Sequence, residues 1–311
     1  MSRYYLGIDT SNYRTSAALF DAESGAWQNS GRLLDVPEGS LGLRQSDALF
    51  QHTLHLHEMI AGLPAGVKIH AVCVSTRPRA VEGSYMPCFL AGVNVARSIA
   101  HILDAPLYEC SHQQGHLAAA ACSADALDLL NEEFYAWHLS GGTTELLYVT
   151  PGENGLCHAE CIGGTTDLAA GQIVDRCGVL LGLPFPAGAA LETLANRSTS
   201  EECFRPRVTD CRFSLSGVEN KFKKMYENGA PAEEIASFTL NTVLSAVEAA
   251  TAQALKRKKL PVLCAGGVMS NRVLQNRMRE RFGAKFAEPV LSGDNAVGAA
   301  ILAALQNGED L

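Results

Sequence analysis

The chain has 311 residues, 47% hydrophobic and 19% charged, enough apolar material for one large domain or two similar lobes and too much for a disordered protein. A net charge of −8 argues against a surface that attracts nucleic acid everywhere, and the longest apolar run, 296–305, is half of what a bilayer needs. The start MSRYYLGIDTS lacks a signal-peptide core and the ten irregularly spaced cysteines contain no CxxC pair, so reduced thiols, a cytoplasmic location and no membrane partner are expected.

In chain order, YYLGID, RTSAALF and AWQNSGRLL read as three short strands joined by tight turns. A helix is expected over roughly 43–62; His52, His55 and His57 lie on it but share no face, which makes them surface residues. IHAVCVST (69–76) reads as a buried strand, 86–103 as a helix, and PLYEC as a strand leading into a helix that begins at HQQGH. The same order then recurs. EFYAWHLS, TTELLYVT and LCHAECIG (156–163) read as strands, followed by helices near 167–182, 188–196, 216–226 and 232–257. PVLCAGG (261–267) is a strand ending in a glycine turn, with a helix over 269–282, a strand near 285–288 and a helix from about 295. Two copies of strand–strand–strand–helix–strand–helix predict an α/β protein of two ribonuclease-H-like lobes, 1–126 and 127–311. That is the actin, Hsp70 and sugar-kinase architecture, in which two lobes enclose a nucleotide.

Three turns have phosphate-binding character. DTSNYRT (9–15) sets a carboxylate at a strand end before small hydroxyl residues. SGGTTE offers Ser140, Gly141 and Gly142, where paired glycines let backbone approach a phosphate. AGGVMSN is a strand-to-helix turn whose Gly266 and Gly267 leave flat room for adenine or ribose before free N–H groups.

The HxxxH in CSHQQGH places His112 and His116 on one helical face, about 6 Å apart along the axis, within reach of one cation. His138, just before SGG, and Asp294 in SGDN are the other candidate donors, and imidazole with carboxylate suits zinc or iron better than magnesium. A zinc-protease reading fails because Gln113 stands where the general-base glutamate of HExxH belongs. The basic runs NKFKKM (Lys221, Lys223, Lys224) and LKRKKL (255–260) read as solvated helix ends rather than an RNA surface.

LGIDTS, the HxxxH, LSGGTTEL, TTDLAAGQIVDRCGVLLGLPFPAG, FSLSG, AGGVMSNRVL and SGDNAVGAA together resemble the catalytic subunit of tRNA threonylcarbamoyladenosine synthesis, a family once misnamed O-sialoglycoprotein endopeptidase. The resemblance implies that His112, His116 and Asp294 hold one iron or zinc, with His138 as a fourth ligand. It also implies that Ser140, Gly141 and Gly142 form the phosphate loop, that Asp175 and Gly188 contact ribose and adenine, and that Asn271 follows the third glycine turn. Asp9 and Ser11 fall near the metal and the transferred group. The implied reaction moves a threonylcarbamoyl group from its adenylate to N6 of adenosine 37 of tRNA, with ATP, AMP or threonylcarbamoyl-AMP as nucleotide ligand and a paralogous subunit bound through the first lobe.

Three departures bear on the acceptor. The family pattern TSCDET is TSNYRT here, exchanging an acidic pair for Tyr13 and Arg14; the GPG-type loop is RPRAVEGS (77–84); and DDAAGE is DLAAGQ. Arg14 gives the first turn a cation for a carboxylate or phosphate. The alternative function is therefore a metal- and nucleotide-binding paralogue that serves another acceptor or acts as a non-catalytic assembly subunit.

Overall fold

The computed structural model describes residues 2–11, 13–36 and 43–311. It divides into two compact units. Unit 1 comprises Met1–Glu132, Thr150–Ala159 and Val290–Leu311, and unit 2 comprises Glu133–Val149 and Glu160–Pro289. The expected 126/127 boundary thus places the chain's end differently: the last helix belongs to unit 1, because its small residues pack on that unit's sheet.

Unit 1 contains β1 (Tyr4–Ser11), β2 (Arg14–Asp21), β3 (Trp27–Leu33), α1 (Gln45–Ala61), β4 (Ile69–Arg77), α2 (Phe89–Leu103), β5 (Leu107–Ser111) and α3 (His112–Ser123). Its sheet runs β3-β2-β1-β4-β5, with β1, β2 and β3 antiparallel and β1, β4 and β5 parallel. β1 is buried at every position after Tyr4 because helices cover both of its faces. Ile8 and Thr10 meet Gly92 of α2, whereas Gly7 lies against the final helix, α10 (Val297–Gln306). A Cβ on Gly7 would sit 2.2 Å from the Ala296 carbonyl oxygen, so only glycine fits there. The apolar run 296–305 is this buried helix.

Unit 2 repeats the plan with β6 (Phe134–Leu139), β7 (Thr144–Thr150), β8 (His158–Thr165), α4 (Ala170–Leu180), α5 (Gly188–Ala195), β9 (Arg212–Phe213), α6 (Ser216–Glu227), α7 (Ala232–Arg257), β10 (Val262–Ala265), α8 (Arg272–Phe282) and β11 (Lys285–Phe286); a short α9 (Pro289–Ser292) precedes α10. The order β11-β10-β6-β7-β8-β9 is the unit 1 order with one two-residue strand added beside β8. That strand was not anticipated. Its FSLSG segment is tied down by Asp167, whose carboxylate accepts from the Ser214 hydroxyl and from the Leu215 and Ser216 backbone N–H groups at the start of α6.

α7 is long and apolar enough to cross a bilayer by length and composition, but its apolar residues form the centre of the unit 2 core, with Trp137 of β6 donating to Thr251. Over 269–282 a single helix was expected. The structure has a 3-10 turn at Gly267–Ser270 and starts α8 at Arg272, because Asn271 caps it by accepting from Leu274 N–H at 3.1 Å.

His52 corrects another expectation. It is fully buried on α1, its Nδ1 is 2.7 Å from the Thr15 hydroxyl, and burial holds the imidazole down to about 4, so it is neutral. A helix packed on a sheet buries a face set by tertiary contact, and His52 shares that face with Ala48 and Leu56. His57 remains exposed, and His55 is half-buried.

Candidate metal centre and nucleotide cavity

The metal candidates converge because a glycine on one helix, Gly298, lets its backbone touch another. α3 starts abruptly at His112: Ser111 Oγ accepts from Gln114 N–H at 3.2 Å while Gln114 Oε1 accepts from Ser111 N–H at 2.8 Å. Gln114 Nε2 also donates to the Cys157 carbonyl at 2.9 Å. His112 and His116 therefore project together from the first turns. Gly298 of α10 packs backbone to backbone against Gly115; a Cβ on Gly298 would lie 1.8 Å from the Gly115 carbonyl oxygen. This contact brings the segment before α10, and with it Asp294, to the histidines.

The donor atoms of His112, His116 and Asp294 all lie within 4.8 Å of one another. Asp294 Oδ1 is 3.0 Å from His116 Nε2 and 3.5 Å from His112 Nε2. Ligands about 2.1 Å from a shared cation are roughly 3.0–3.4 Å apart, so the spacing fits zinc or iron. Asp9, 2% exposed at the end of β1, binds the far side of His112 through Oδ1 to Nδ1 at 3.1 Å and accepts from the Ser75 hydroxyl. This second contact fixes the tautomer that turns His112 Nε2 towards the cluster. Asp9 Oδ2 is buried without a hydrogen-bond partner among the described residues.

The charges explain one another. Burial opposes ionisation of Asp9, yet the charge and hydrogen bond of His112, with the Ser75 bond, outweigh it and hold the carboxyl below its ordinary range. Burial also opposes charge on His112, but Asp9 and Asp294 raise it to about 10 in the metal-free protein. Asp294 is depressed by both histidines despite its own burial.

Register places Ser11 and Arg14 opposite each other on the face of β1 and β2 that carries Asp9. Arg14 folds over Gly31 of β3, donating from Nη2 to the Gly31 carbonyl at 3.4 Å. Its Nε and the Ser11 Oγ are buried without hydrogen-bond partners among the described residues. Asn12, in the same turn, lies outside the described residues. Arg77 and Arg79 are exposed, and the loop is fixed to α3 by Gln113 N–H donating to the Pro78 carbonyl at 3.0 Å. His138 is on β6 in unit 2, paired across the ladders with Glu145 and Ala265.

Unit 2 holds a cavity of about 400 Å³ lined by Gly141, Asp175, Gly188, Gly267 and Asn271, five of the eight expected nucleotide residues. Ser140 supports the same turn, its hydroxyl accepting from Thr143 N–H at 3.2 Å. Gly266, at φ 100°, passes so close to the Leu139 carbonyl that a Cβ would be 2.2 Å from its oxygen. Gly142 has open space where a Cβ would be. Asp175 works partly through backbone, accepting from Ala187 N–H at 2.8 Å and so holding the turn before Gly188.

Among the lining residues that the sequence did not point to, two shape the cavity. Gly171 lets the N-terminus of α4 press on the SGG turn, where a Cβ would be 2.5 Å from the Ser140 carbonyl oxygen; the small-residue run LAAG was the available signal. Glu192 accepts from Arg272 N–H at 2.8 Å and joins α5 to the start of α8. No spacing pattern announces that contact.

The lysine runs are largely engaged locally. Lys223 pairs with Glu219, Lys258 with Glu133 and Arg257 with Asp210, and Lys221 lies over Phe204.

Two sheets with the same strand order, one beside a histidine–carboxylate cluster and the other below a glycine-lined cavity, define the actin, Hsp70 and sugar-kinase class. Solved structures agree on the fold. Full-length HypF, crystallised in a phosphate- and nucleotide-bound form, superposes with a TM-score of 0.62 at 14% identity, covering 97% of this chain and 55% of its own. A ROK family glucokinase from Streptomyces griseus gives 0.52 at 13% identity, with 96% and 99% covered.

The profile of the tRNA N6-adenosine threonylcarbamoyltransferase family, TsaD, matches residues 52–301. The relative from Streptococcus equi subsp. zooepidemicus is 33% identical over 246 residues, covering 73% of this chain and 70% of its own length. That from Sinorhizobium medicae is 31% identical, with 94% and 86% covered. The chain belongs to this family, one of transferases rather than peptidases. The profile match begins after Asp9, Ser11 and Arg14.

Proposed function

We propose that the chain transfers a threonylcarbamoyl group from threonylcarbamoyl-AMP to N6 of adenosine 37 in tRNA, using one divalent iron or zinc. The observation that carries this is the His112, His116 and Asp294 cluster, backed by Asp9 and built wholly within unit 1 of a chain belonging to this family. A bound metal supplies a Lewis acid that stabilises charge developing on the mixed anhydride and its leaving phosphate. His112, His116 and Asp294 would hold it, and Asp9 keeps the His112 ring oriented. In unit 2, Asp175 fixes the turn carrying Gly188, while Gly141, Gly142 and Gly267 offer open backbone to the adenylate. Ser11 and Arg14 place a hydroxyl and a cation on the Asp9 face of the first turn, suited to a carboxylate on the transferred group.

The buried, unbonded Nε of Arg14 supports a second reading, transfer to a different acceptor. Complementation of a strain lacking its own threonylcarbamoyl transferase, with nucleoside analysis of its tRNA, distinguishes the two. Restored modification supports tRNA as acceptor; soluble expression without modification rejects it.

A further inference from the structure

A second cavity in unit 2, about 720 Å³, opens between the 196–206 segment, α7 and α8, and is lined by Arg205, Glu248, Arg277 and Arg281. Arg277 and Arg281 are one helical turn apart on α8, about 6 Å along its axis. Both reach one carboxylate on α7: Arg277 Nε is 3.5 Å from Glu248 Oε1, and Arg281 Nη1 is 3.1 Å from Oε2. The Glu248 side chain is 8% exposed, while both arginine side chains are 52% exposed. Glu248 Oε1 has no hydrogen-bond partner among the described residues.

The burial pattern sets the direction of the charge. Glu248 lies deeper than the two guanidinium groups and pairs with both. Each guanidinium has five donors, and one carboxylate cannot use them all. Arg281 is further held over the Phe282 ring at 5.2 Å, which lowers the entropy lost when it meets a ligand. Arg205, with Glu201, lines the same cavity from the 196–206 segment. In a chain of net charge −8, this is a concentrated and prearranged cationic surface.

We propose that this cavity docks phosphate groups of an RNA strand, an inference that rests on tRNA being the substrate. A polynucleotide fits better than a small anion because the arginines are half-exposed at an open mouth, where they can meet phosphates carried on an extended strand.

The test is fluorescence anisotropy of a labelled tRNA transcript with the full chain across a salt series. E248Q/R277S/R281S removes the arginines without stranding a buried carboxylate, and R205S leaves the ion pairs intact. Melting temperature and the AMP-induced thermal shift report whether each variant is folded. The triple variant is expected to bind about tenfold more weakly, with the slope of log K against log salt reduced by roughly 1.4–1.8; R205S should reduce it by about half as much. Wild-type affinity and slope in both folded variants overturn the proposal. So does protection of the cavity by inorganic phosphate while RNA binding stays unchanged, which would make it a small-anion site. A wild-type chain that binds no tRNA overturns the substrate reading itself, a result distinct from the other two.

Discussion

Gly298→Ala should damage the metal centre through backbone alone. The new Cβ would sit 1.8 Å from the Gly115 carbonyl oxygen and 3.0 Å from Ala119 N, and neither neighbour is a side chain that can rotate away. To reach even 3.0 Å, the tightest separation real Cβ atoms show, α10 must move from α3 by about 1.2 Å. Overpacking of this kind costs about 1–3 kcal/mol; contact with rigid backbone puts this site near the top, against which alanine's better helix propensity returns less than 1 kcal/mol. A net loss of about 2 kcal/mol lowers Tm by roughly 4–8 °C. Asp294 leads into α10, so metal affinity should fall as well. Gly115→Ala is the internal control. Its Cβ would be 3.7 Å from Ala299 N, an ordinary contact, and the helix should gain about 0.5–1 kcal/mol. Thermal unfolding and metal content of both variants make the assay. Equal behaviour of the two, or wild-type metal binding by Gly298→Ala, would refute the claim that backbone contact builds the site.

His112→Ala with His116→Ala should abolish bound zinc or iron measured by elemental analysis. Stoichiometric metal in the double variant removes the centre. Asp175→Ala should shrink the thermal shift produced by AMP, because the Ala187 N–H loses its acceptor and the turn before Gly188 loosens; an undiminished shift would place adenine elsewhere. In the metal-free protein His112 is raised from 6.5 to about 10, so the stability from its ion pairs is fully present below about pH 6.5 and lost as pH rises towards 10. Asp9 and Asp294 are depressed, so their contribution is present above about pH 4 and lost on acidification. Apo Tm should therefore decline from pH 6.5 to 10, and a flat profile would contradict the pairing. Thr15→Val should destabilise unit 1 by about 1–3 kcal/mol by stranding the buried His52 nitrogen, read by denaturant unfolding.

Much of this protein was legible because its periodicities are local. The doubled order of strands and helices, the HxxxH spacing and the glycine turns depend on neighbours within one or two helical turns, and hydrophobic pattern reports such neighbours directly. His112, His116, Gly141 and Gly267 were named on that basis and Asp294 as a candidate donor beside them, and family resemblance added Asp175 and Gly188. Tertiary structure decided the rest. His52 is buried because a sheet covers one face of α1, a fact its own helix cannot reveal. α10 belongs to unit 1 because Gly7 and Gly298 admit its backbone, and only that contact sets Asp294 beside residues 178 positions earlier. Arg277 and Arg281 meet one carboxylate, Glu248, that lies on another helix. Sequence pattern reports which face a residue shares with its neighbours. What lies opposite that face is set by packing, where close backbone contact and buried charge decide which distant groups meet.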